Sequence, residues 1–423
     1  MKYLVISWIS CQLLATAVHA ESFVVDVRTL HTLDPGAAPL ADARIVVVDG
    51  LITCLGQQAA GPTACSVPAG ARHFDFARSG VLTPGYIESL GRLGQVEVDA
   101  EDGSHDGVAS KESNLAQVRA IDGVAMGSRA LTAARLGGVT TVLARPLGGA
   151  LIAGQSVAFR TSGLTVDAAL VRAPVAVHVN LGEEARQDMP LVGARSGQIA
   201  VLRTLLQEAK RLAAAESKKP KDPVERESLQ RLADDPALAV LATLVWKGRL
   251  PLVVHAHRSD EIAAALRLRA ELGFRLAIAG GAEAWLLAAE LAAAHVPVIL
   301  GPIRVAPFGW NTRQARPDSA AILHRAGVQL VLAMAETHNA RNLRFEAGFA
   351  VANGLPPAAA LAAITRVPAE VFGLPLTGAN AVGVLRQGQL ADFAVTDGDP
   401  LGYDGRMLFV AAAGQAIEAP RQR

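Results

Sequence analysis

The chain contains 423 residues, and its 40 Lys and Arg against 39 Asp and Glu leave a formal net charge of +1. This length exceeds the size at which one hydrophobic core stops growing, so we expect a large domain with a smaller one beside it. With no basic stripe and only 4% aromatic residues, the composition argues against a nucleic-acid-binding protein.

The amino terminus predicts a cleavable secretory signal over residues 1–20. Lys2 precedes an apolar run, and the small residues Val18 and Ala20 are typical of a cleavage site after Ala20. The run is well under the roughly 20 residues that span a bilayer, which argues against the alternative of a membrane anchor. The residues before Cys11 make a poor lipobox, which argues against a lipoprotein. We therefore expect a periplasmic or secreted protein without a membrane span once the signal is removed.

The two ends of the mature chain carry similar patterns. Residues 21–80 and 380–423 contain short runs of β-branched residues bounded by Pro, Gly and Asp, which is typical of strands and turns. We expect them to form one small β-sandwich domain. Cys54 and Cys65 lie in the first part, where an oxidising compartment would allow a local disulfide. The alternative, two small buried residues, has equal support from the sequence.

Residues 81–379 alternate apolar strand-like runs with Ala- and Leu-rich helical stretches, which is the pattern of parallel βα units. The predicted strands are, in order, VLTPGYI, GVTTVLA, SVAFRTS, APVAVHV, LPLVVHA, FRLAIAG, VPVILGP and VQLVLAM. This series suits a (β/α)8 TIM barrel. The third strand can instead be a side hairpin. The alternative fold is an open doubly wound sheet, although no G-x-G-x-x-G follows an early strand.

Three stretches resemble the amidohydrolase superfamily, in particular its imidazolonepropionase-like branch. ARIVVVDGLITCLG is similar to a hairpin near the start of these proteins, VLTPGYIESLGRLG to the entry into the first barrel strand, and VGVLRQGQLADFAVTDGDPL to the return into the β-domain. Their order and spacing match over essentially all of the mature chain. The resemblance implies hydrolysis of C–N or related bonds by one or two divalent metals, held at the carboxyl ends of the barrel strands.

The resemblance also implies a ligand set: two His after the first strand, one after the fifth, one after the sixth and an Asp after the eighth. Here most of those positions hold other residues, namely Leu90, Arg92, Gly280, Gly281 and Ala335. Leu cannot ligate a metal, and a guanidinium stays protonated and repels a cation. His255 matches the position after the fifth strand, so we expect at most a reduced site rather than a conventional binuclear centre.

A rebuilt site around His255 is the leading hypothesis. His257 lies two residues further along and faces the same side if the strand continues, and Glu336 and His338 have the same spacing after the eighth strand. These residues could hold one divalent metal, zinc most readily, with Glu336 as general base. His338 and Asn339 would then contact the substrate. The alternatives are that His255 is a vestige of ancestry and that the segment from Glu336 to Asn339 is a polar loop.

Arg92 and His178 are further candidates for the same end of the barrel. Arg92, in place of the second family His, could act catalytically without metal by binding a carboxylate or polarising a carbonyl. The alternative is a structural ion pair with Glu88 or Glu97. His178 follows the fourth predicted strand and could contact substrate, although a buried His is more often a hydrogen-bonded structural residue.

These observations predict an exported hydrolase that acts on an amide, cyclic amide or similar C–N bond of a small molecule. The competing hypothesis is a small-molecule-binding protein that kept the barrel and lost the metals. A metal-free lyase or isomerase is a third possibility. Barrels of this size often pair through surface helices, so a homo-oligomer is compatible with the sequence.

Overall fold

The computed structural model describes residues 21–58, 65–98, 100–107, 112–183, 185, 193–218 and 222–418. The predicted signal, residues 1–20, lies outside this part of the chain. Its strands are β1 (Phe23–Leu30), β2 (Leu40–Val48), β3 (Leu51–Gln57), β4 (Arg72–Pro84), β5 (Tyr86–Gly91), β6 (Val139–Ala144), β7 (Ile152–Gln155), β8 (Val157–Arg160), β9 (Leu170–Arg172), β10 (Val177–Asn180), β11 (Leu252–Ala256), β12 (Leu276–Gly280), β13 (Val298–Leu300), β14 (Leu330–Leu332), β15 (Phe393–Asp397), β16 (Met407–Ala412) and β17 (Gln415–Glu418).

The α-helices follow the strands of the middle region. They are α1 (Arg129–Leu136), α2 (Arg195–Lys218), α3 (Pro223–Ala233), α4 (Pro236–Leu241), α5 (Ser259–Leu272), α6 (Ala288–Ala293), α7 (Ser319–Arg325), α8 (Leu343–Ala352), α9 (Pro357–Ala363) and α10 (Arg366–Phe372). Local sequence explains several boundaries: Pro opens α3 and α4 behind a capping Asp, and left-handed Gly273 ends α5. None of the described helices is both long enough and apolar enough to cross a membrane.

Strands from both chain ends form one seven-stranded sheet in the order β17-β16-β15-β4-β1-β2-β3. β4 joins the two halves because it pairs parallel with β1 and antiparallel with β15. Phe23, Phe393 and Phe409 are fully buried on this sheet, and the ring centroids of Phe23 and Phe409 lie 5.8 Å apart. The two chain ends thus meet in one sheet, as predicted, but the strands form a single hydrogen-bonded sheet through β4, and a two-sheet sandwich is not confirmed.

Cys54 of β3 and Cys65 form a disulfide. This confirms one of the two alternatives left open by the sequence. Cys65 is buried against Val24 and Val46 of the neighbouring strands. The bond therefore joins an edge strand to the packed face of the sheet, and it restricts the unfolded chain over a separation of 11 residues.

The middle of the chain forms two further sheets, in the orders β5-β6-β8-β9 and β14-β13-β12-β11-β10-β7. β5 and β6 pair parallel, and each strand from β10 to β14 pairs parallel with the next. The protein is therefore mixed α/β, with the parallel strands that the alternating sequence pattern predicts.

The third predicted strand, β8, is not a parallel strand of the series; it pairs antiparallel with β6 and β9, which agrees better with the alternative of a hairpin. β7 pairs antiparallel with β10, and β8 pairs antiparallel with β6. The chain leaves β6 at Ala144 and enters β7 at Ile152. This connection is shorter than the dozen or so residues that a parallel crossover needs, so the chain turns back, and β7 and β8 run antiparallel to β10 and β6, respectively.

Alternate residues of each parallel strand belong to two different apolar clusters. In β11, Leu252 and Val254 pack with helix residues such as Ile262 in what we call the outer cluster. Val253, between them, packs with Ile299 of β13. We call this second group the inner cluster; its strand residues are Ile87, Leu90, Leu143, Ala158, Val171, Val253, Ala277, Ala279, Ile299 and Val331. Side chains on the face of β11 that carries Val253 therefore point away from α5.

A buried ion pair joins the middle region to the seven-stranded sheet. Nε of Arg160, at the end of β8, donates to Oδ2 of Asp392 at 2.6 Å, and both side chains are 3% exposed. The other oxygen of Asp392 accepts from the backbone N–H of Ala413 at 2.8 Å. The Arg160 guanidinium also donates to Asn380 Oδ1 and to the Ala381 carbonyl. Asp392 therefore has both oxygens satisfied, and it holds β8 against the start of β15.

Candidate active site

His178 and His255 lie side by side near the carboxyl ends of β10 and β11. Asn180 is the register partner of His255 in this parallel pair. Nδ1 of His178 and Nε2 of His255 are 3.0 Å apart, and the two ring centroids are 5.3 Å apart. The sequence analysis singled out both residues but did not pair them, because 77 positions separate them in the chain.

Both imidazoles lie on the inner face of the strands. His255 comes two residues after Val253, and His178 comes two residues after Ala176, and those apolar residues belong to the inner cluster. Since side chains in a strand alternate with a period of two, the imidazoles share that face. They are nearly inaccessible, with 1% of His178 and 8% of His255 exposed.

Burial and a neighbouring cation keep both rings neutral near neutral pH. Burial, and after it the positive charge of Arg145, lowers the pKa of His178 to about 3. The pKa of His255 is also held well below its usual value, first by burial and then by Arg145 and the neighbouring imidazoles. A neutral imidazole has one donor and one acceptor nitrogen, so one ring donates the shared hydrogen bond and the other accepts it.

The imidazole pair leaves hydrogen-bonding capacity unused. Nε2 of His178 and Oδ1 of Asn180 are buried, and neither has a hydrogen-bond partner within the described ranges. The amide nitrogen of Asn180 donates to the carbonyls of Gly148 and Ala150, each at 2.9 Å, which fixes the orientation of its side chain. Buried polar atoms are normally satisfied, so two unfilled ones at the same place indicate a position for a small polar molecule or a substrate group.

His257 occupies the space beside Gly280, one of the two glycines at the position where the resemblance implies a family His. A Cβ at Gly280 would lie 2.7 Å from Cε1 of His257, and Gly280 has a φ of +86°. A side chain at this position would therefore displace the His257 ring. A space of about 20 Å³ beside His257 is lined by Pro302 and Phe308, among others, and it can hold about one water molecule.

The loop that carries His257 is held by a helix cap. Oε2 of Glu261 accepts from the backbone N–H groups of His257 and Arg258, each at 3.1 Å. This is the carboxylate half of a capping box at the start of α5. Glu261 therefore caps the helix and fixes the backbone of the loop at His257.

Glu336, His338 and Asn339 lie in the segment after β14 and interact locally. Oε2 of Glu336 accepts from the side-chain amide of Asn339 at 2.8 Å, and His338 is exposed at the start of a 3₁₀ turn. In the part of the chain that the structure describes, no group of three or more His, Cys, Asp or Glu residues could hold a metal ion. The predicted cluster of His255, His257, Glu336 and His338 is therefore not assembled. The reason is that Glu336 pairs within its own turn.

Arg92 and Arg145 each follow a parallel strand directly, β5 and β6 respectively. Arg92 is half-buried directly after β5, and its proposed catalytic role stays a prediction. Arg145 directly follows β6, two residues after Leu143 of the inner cluster, and its charge acts on both imidazoles. The sequence analysis missed Arg145. A charged residue immediately after an apolar strand run was the signal that could have indicated it.

Glu88 of β5 is fully buried and accepts three backbone hydrogen bonds. Oε1 accepts from Leu90 at 3.1 Å and from Ala335 at 3.2 Å, and Oε2 accepts from Met334 at 2.9 Å. The carboxylate therefore links β5 to the residues that follow β14. Burial raises its pKa from 4.5 to about 7, even though these three N–H groups favour the charged form.

The stability of the protein is expected to fall as the pH rises from 4.5 to about 7. In this range the folded protein retains the Glu88 proton that the unfolded chain releases, so ionisation favours unfolding. Over the full pKa shift, the free energy of unfolding is expected to fall by about 3 kcal/mol. We expect Glu88→Gln to lose this part of the pH dependence, as measured by urea unfolding of both proteins at about pH 5 and pH 8. Equal pH slopes for the two proteins would contradict the assignment.

The residues present do not fit the metal centre that the resemblance implies. A catalytic zinc site usually has three protein ligands. The His178–His255 pair supplies two imidazoles, and the positive charge of Arg145 acts on both of them. Leu90 and Gly280 cannot ligate, and Ala335, at the Asp position, presents only its backbone N–H to Glu88. Chemistry at this site is therefore derived from the side chains themselves.

Comparisons with known proteins agree with this fold. The chain is 28% identical over 380 residues to "Amidohydrolase tasK" of Hapsidospora irregularis; the match covers 81% of this chain and 38% of that protein. An amidohydrolase structure from Thermotoga maritima superposes with a TM-score of 0.79 at 22% identity, covering 93% of this chain and 99% of that one. A zinc-bound adenosine deaminase from Xanthomonas campestris gives 0.52 at 16% identity, covering 94% of each chain.

The sequence match and the shared fold support the assignment to the amidohydrolase superfamily that the three sequence stretches indicate. The chain spans well under half the length of its curated relative, so that protein's activity is not transferred by the match. No model of a known protein family matches the chain.

Proposed function

We propose that the chain is an exported hydrolase of the amidohydrolase type that acts on an amide, cyclic amide or similar C–N bond of a small molecule. In this proposal the two central sheets form one (β/α)8-type barrel whose third strand is antiparallel, with the seven-stranded sheet as its companion domain. The His178–His255 pair carries the proposal, because it places imidazole nitrogens near the carboxyl ends of parallel strands, where barrel enzymes hold their catalytic groups.

The pair can supply general acid–base catalysis. A neutral imidazole accepts a proton as water attacks the carbonyl carbon, and it returns that proton to the amine as the C–N bond breaks. We assign the first contact with the water to Nε2 of His178, which has no partner among the described residues. The hydrogen bond to His255 stabilises the imidazolium that forms. Arg145 would stabilise the negative charge that develops on the carbonyl oxygen.

The disulfide between Cys54 and Cys65 supports the proposed export. Structural disulfides persist in oxidising compartments and are rare where thiols are kept reduced. Residues 1–20 carry the pattern of a secretory signal. A periplasmic or secreted location is therefore part of the proposal.

A second candidate function is small-molecule binding without turnover. The observation that favours it is the replacement of the family ligands by Leu90, Arg92, Gly280 and Ala335. A protein that binds through the same two imidazoles and Arg145 would keep the buried polar atoms of the site and would not need a metal.

One experiment on the mature chain, expressed with its own secretory signal, distinguishes the two functions. Turnover is measured against a panel of linear amides, cyclic amides and N-acyl amino acids, with chelator or with added zinc, and bound Zn, Mn, Fe and Ni are measured by elemental analysis. We expect turnover that survives the chelator in a protein with far less than one metal per chain. A stoichiometric metal whose removal abolishes turnover would overturn the metal-free site. Binding of panel members without turnover would favour the second function.

A further inference from the structure

A polar pocket of about 410 Å³ lies at the amino ends of β11 to β14, at the opposite end of these strands from the imidazole pair. We call it the basal pocket. Its polar lining comprises Arg249, Arg269, Arg275, His295, Gln329 and Glu370. In barrel proteins the catalytic groups lie at the carboxyl ends, so the hydrolase site does not explain this pocket.

The positive charge of the basal pocket exceeds the negative charge available to it. Glu370 forms an ion pair with Arg366, one helical turn before it, and also accepts from Gln329 at 3.3 Å. Among the ion pairs of the described residues, none involves Arg249, Arg269 or Arg275. Three arginines that line one pocket therefore have no carboxylate partner among the described residues, and of these only Arg275 donates to backbone carbonyls, those of Arg249 and Val371.

The chain holds these groups in place at a conformational cost. Nη1 of Arg275 donates to the Arg249 carbonyl at 3.0 Å, which connects the residues that precede β12 and β11. Arg249 has a φ of +56° and His295 a φ of +49°. Both values lie in the left-handed region, which residues other than glycine adopt only with strain. Two such residues on the wall of one pocket indicate that the positions of these side chains are maintained rather than incidental.

We infer that the basal pocket binds an anion that carries a phosphate group. A phosphate dianion accepts hydrogen bonds in several directions, and guanidinium groups donate to it with matching geometry. The three arginines come from two loops and from the last turn of α5, and their combined positive charge suits a phosphate dianion better than a singly charged carboxylate. This inference does not depend on the hydrolase activity.

Inorganic phosphate is the probe that tests this inference. Binding to the mature chain is measured by isothermal titration calorimetry at constant ionic strength, with chloride as the reference anion. We expect one site per chain, and we expect Arg249→Ala and Arg269→Ala each to weaken it by about tenfold, which is typical of a lost charge-assisted hydrogen bond. Within the described residues, the side chains of Arg249 and Arg269 form no hydrogen bond, so both variants are expected to fold.

Arg267→Ala is the matched control, because Arg267 lies on the same helix, α5, but lines a different cavity. The control removes the same charge and is expected to bind phosphate like the wild type. Equal weakening in Arg267→Ala would show a general effect of net charge and would overturn the proposed site. Absence of phosphate binding to the wild-type protein would also overturn it.

Discussion

Replacement of His255 by Gln is expected to lower turnover by roughly 10²–10⁴-fold while leaving the fold intact. The side-chain amide of Gln reaches the position of Nε2 in His, and its oxygen can accept the hydrogen bond that Nδ1 of His178 shares with His255 at 3.0 Å. An amide does not accept and release a proton near neutral pH. The variant therefore retains the structure of the pair and loses its chemistry. The measurement is the rate of hydrolysis of the best panel substrate, together with the urea midpoint.

His178→Asn is the companion variant, because the Asn amide lies close to the position of Nδ1. Two residues that act as one unit show non-additive effects, so we expect the double variant to be no slower than the slower single variant. His324→Ala, at an exposed position on α7, is the control and is expected to keep full activity. Turnover within a few-fold of wild type in His255→Gln would contradict an acid–base role. If the wild type binds panel members but does not turn them over, and the variants bind them equally well, the binding function is favoured.

Asp392→Ala is expected to lower the free energy of unfolding by about 3–5 kcal/mol. The change leaves the Arg160 guanidinium buried without its carboxylate, and it removes the acceptor of the Ala413 N–H. Removing one partner of a buried ion pair lowers the free energy of unfolding much more than removing one partner of an exposed pair, because the remaining charge stays buried. Urea unfolding followed by circular dichroism measures the effect. The same loss is expected when Arg160 is changed to Met, because the Asp392 charge is then left buried.

The exposed pair between Arg119 and Asp122 is the matched control for this prediction. Its side chains are 58% and 60% exposed, and Nη2 of Arg119 lies 2.6 Å from Oδ1 of Asp122. Exposed pairs contribute about 0–1 kcal/mol, so Asp122→Ala is expected to have little effect. A double change of Arg160 to Met and Asp392 to Leu is expected to destabilise less than the sum of the single changes. Equal effects of Asp392→Ala and Asp122→Ala would contradict the assignment of a buried pair.

The sequence predicted the strands of this fold more reliably than their directions. β-branched runs mark β5, β6 and β10 to β14 because buried parallel strands are apolar on both faces. The run SVAFRTS was predicted as a strand of the same series, but β8 is antiparallel to β6. The composition of a strand does not indicate whether it is parallel or antiparallel to its neighbours. The short connection before β7 does indicate an antiparallel strand, and its length can be read from the sequence.

The candidate site was predicted in part. His255 was found by its match to a family position, and it lies on the inner face as an alternating strand requires. His178 received little weight although it is the hydrogen-bond partner of His255. Glu336 received more weight, but it pairs with Asn339 inside its own turn. The spacing of residues along the chain could not distinguish these cases, because contacts across neighbouring strands depend on register.

The missing family ligands were visible in the sequence, whereas what replaces them was not. Leu90, Arg92, Gly280 and Ala335 could each be read from their positions after predicted strands, because strand periodicity determines which residues reach the inner face. Only the tertiary structure showed that His257 occupies the space beside Gly280 and that Arg145 acts on two imidazoles from other strands. Those relations depend on the register of β10 against β11 and on the paths of their loops. Both are determined by packing between segments that are far apart in the chain.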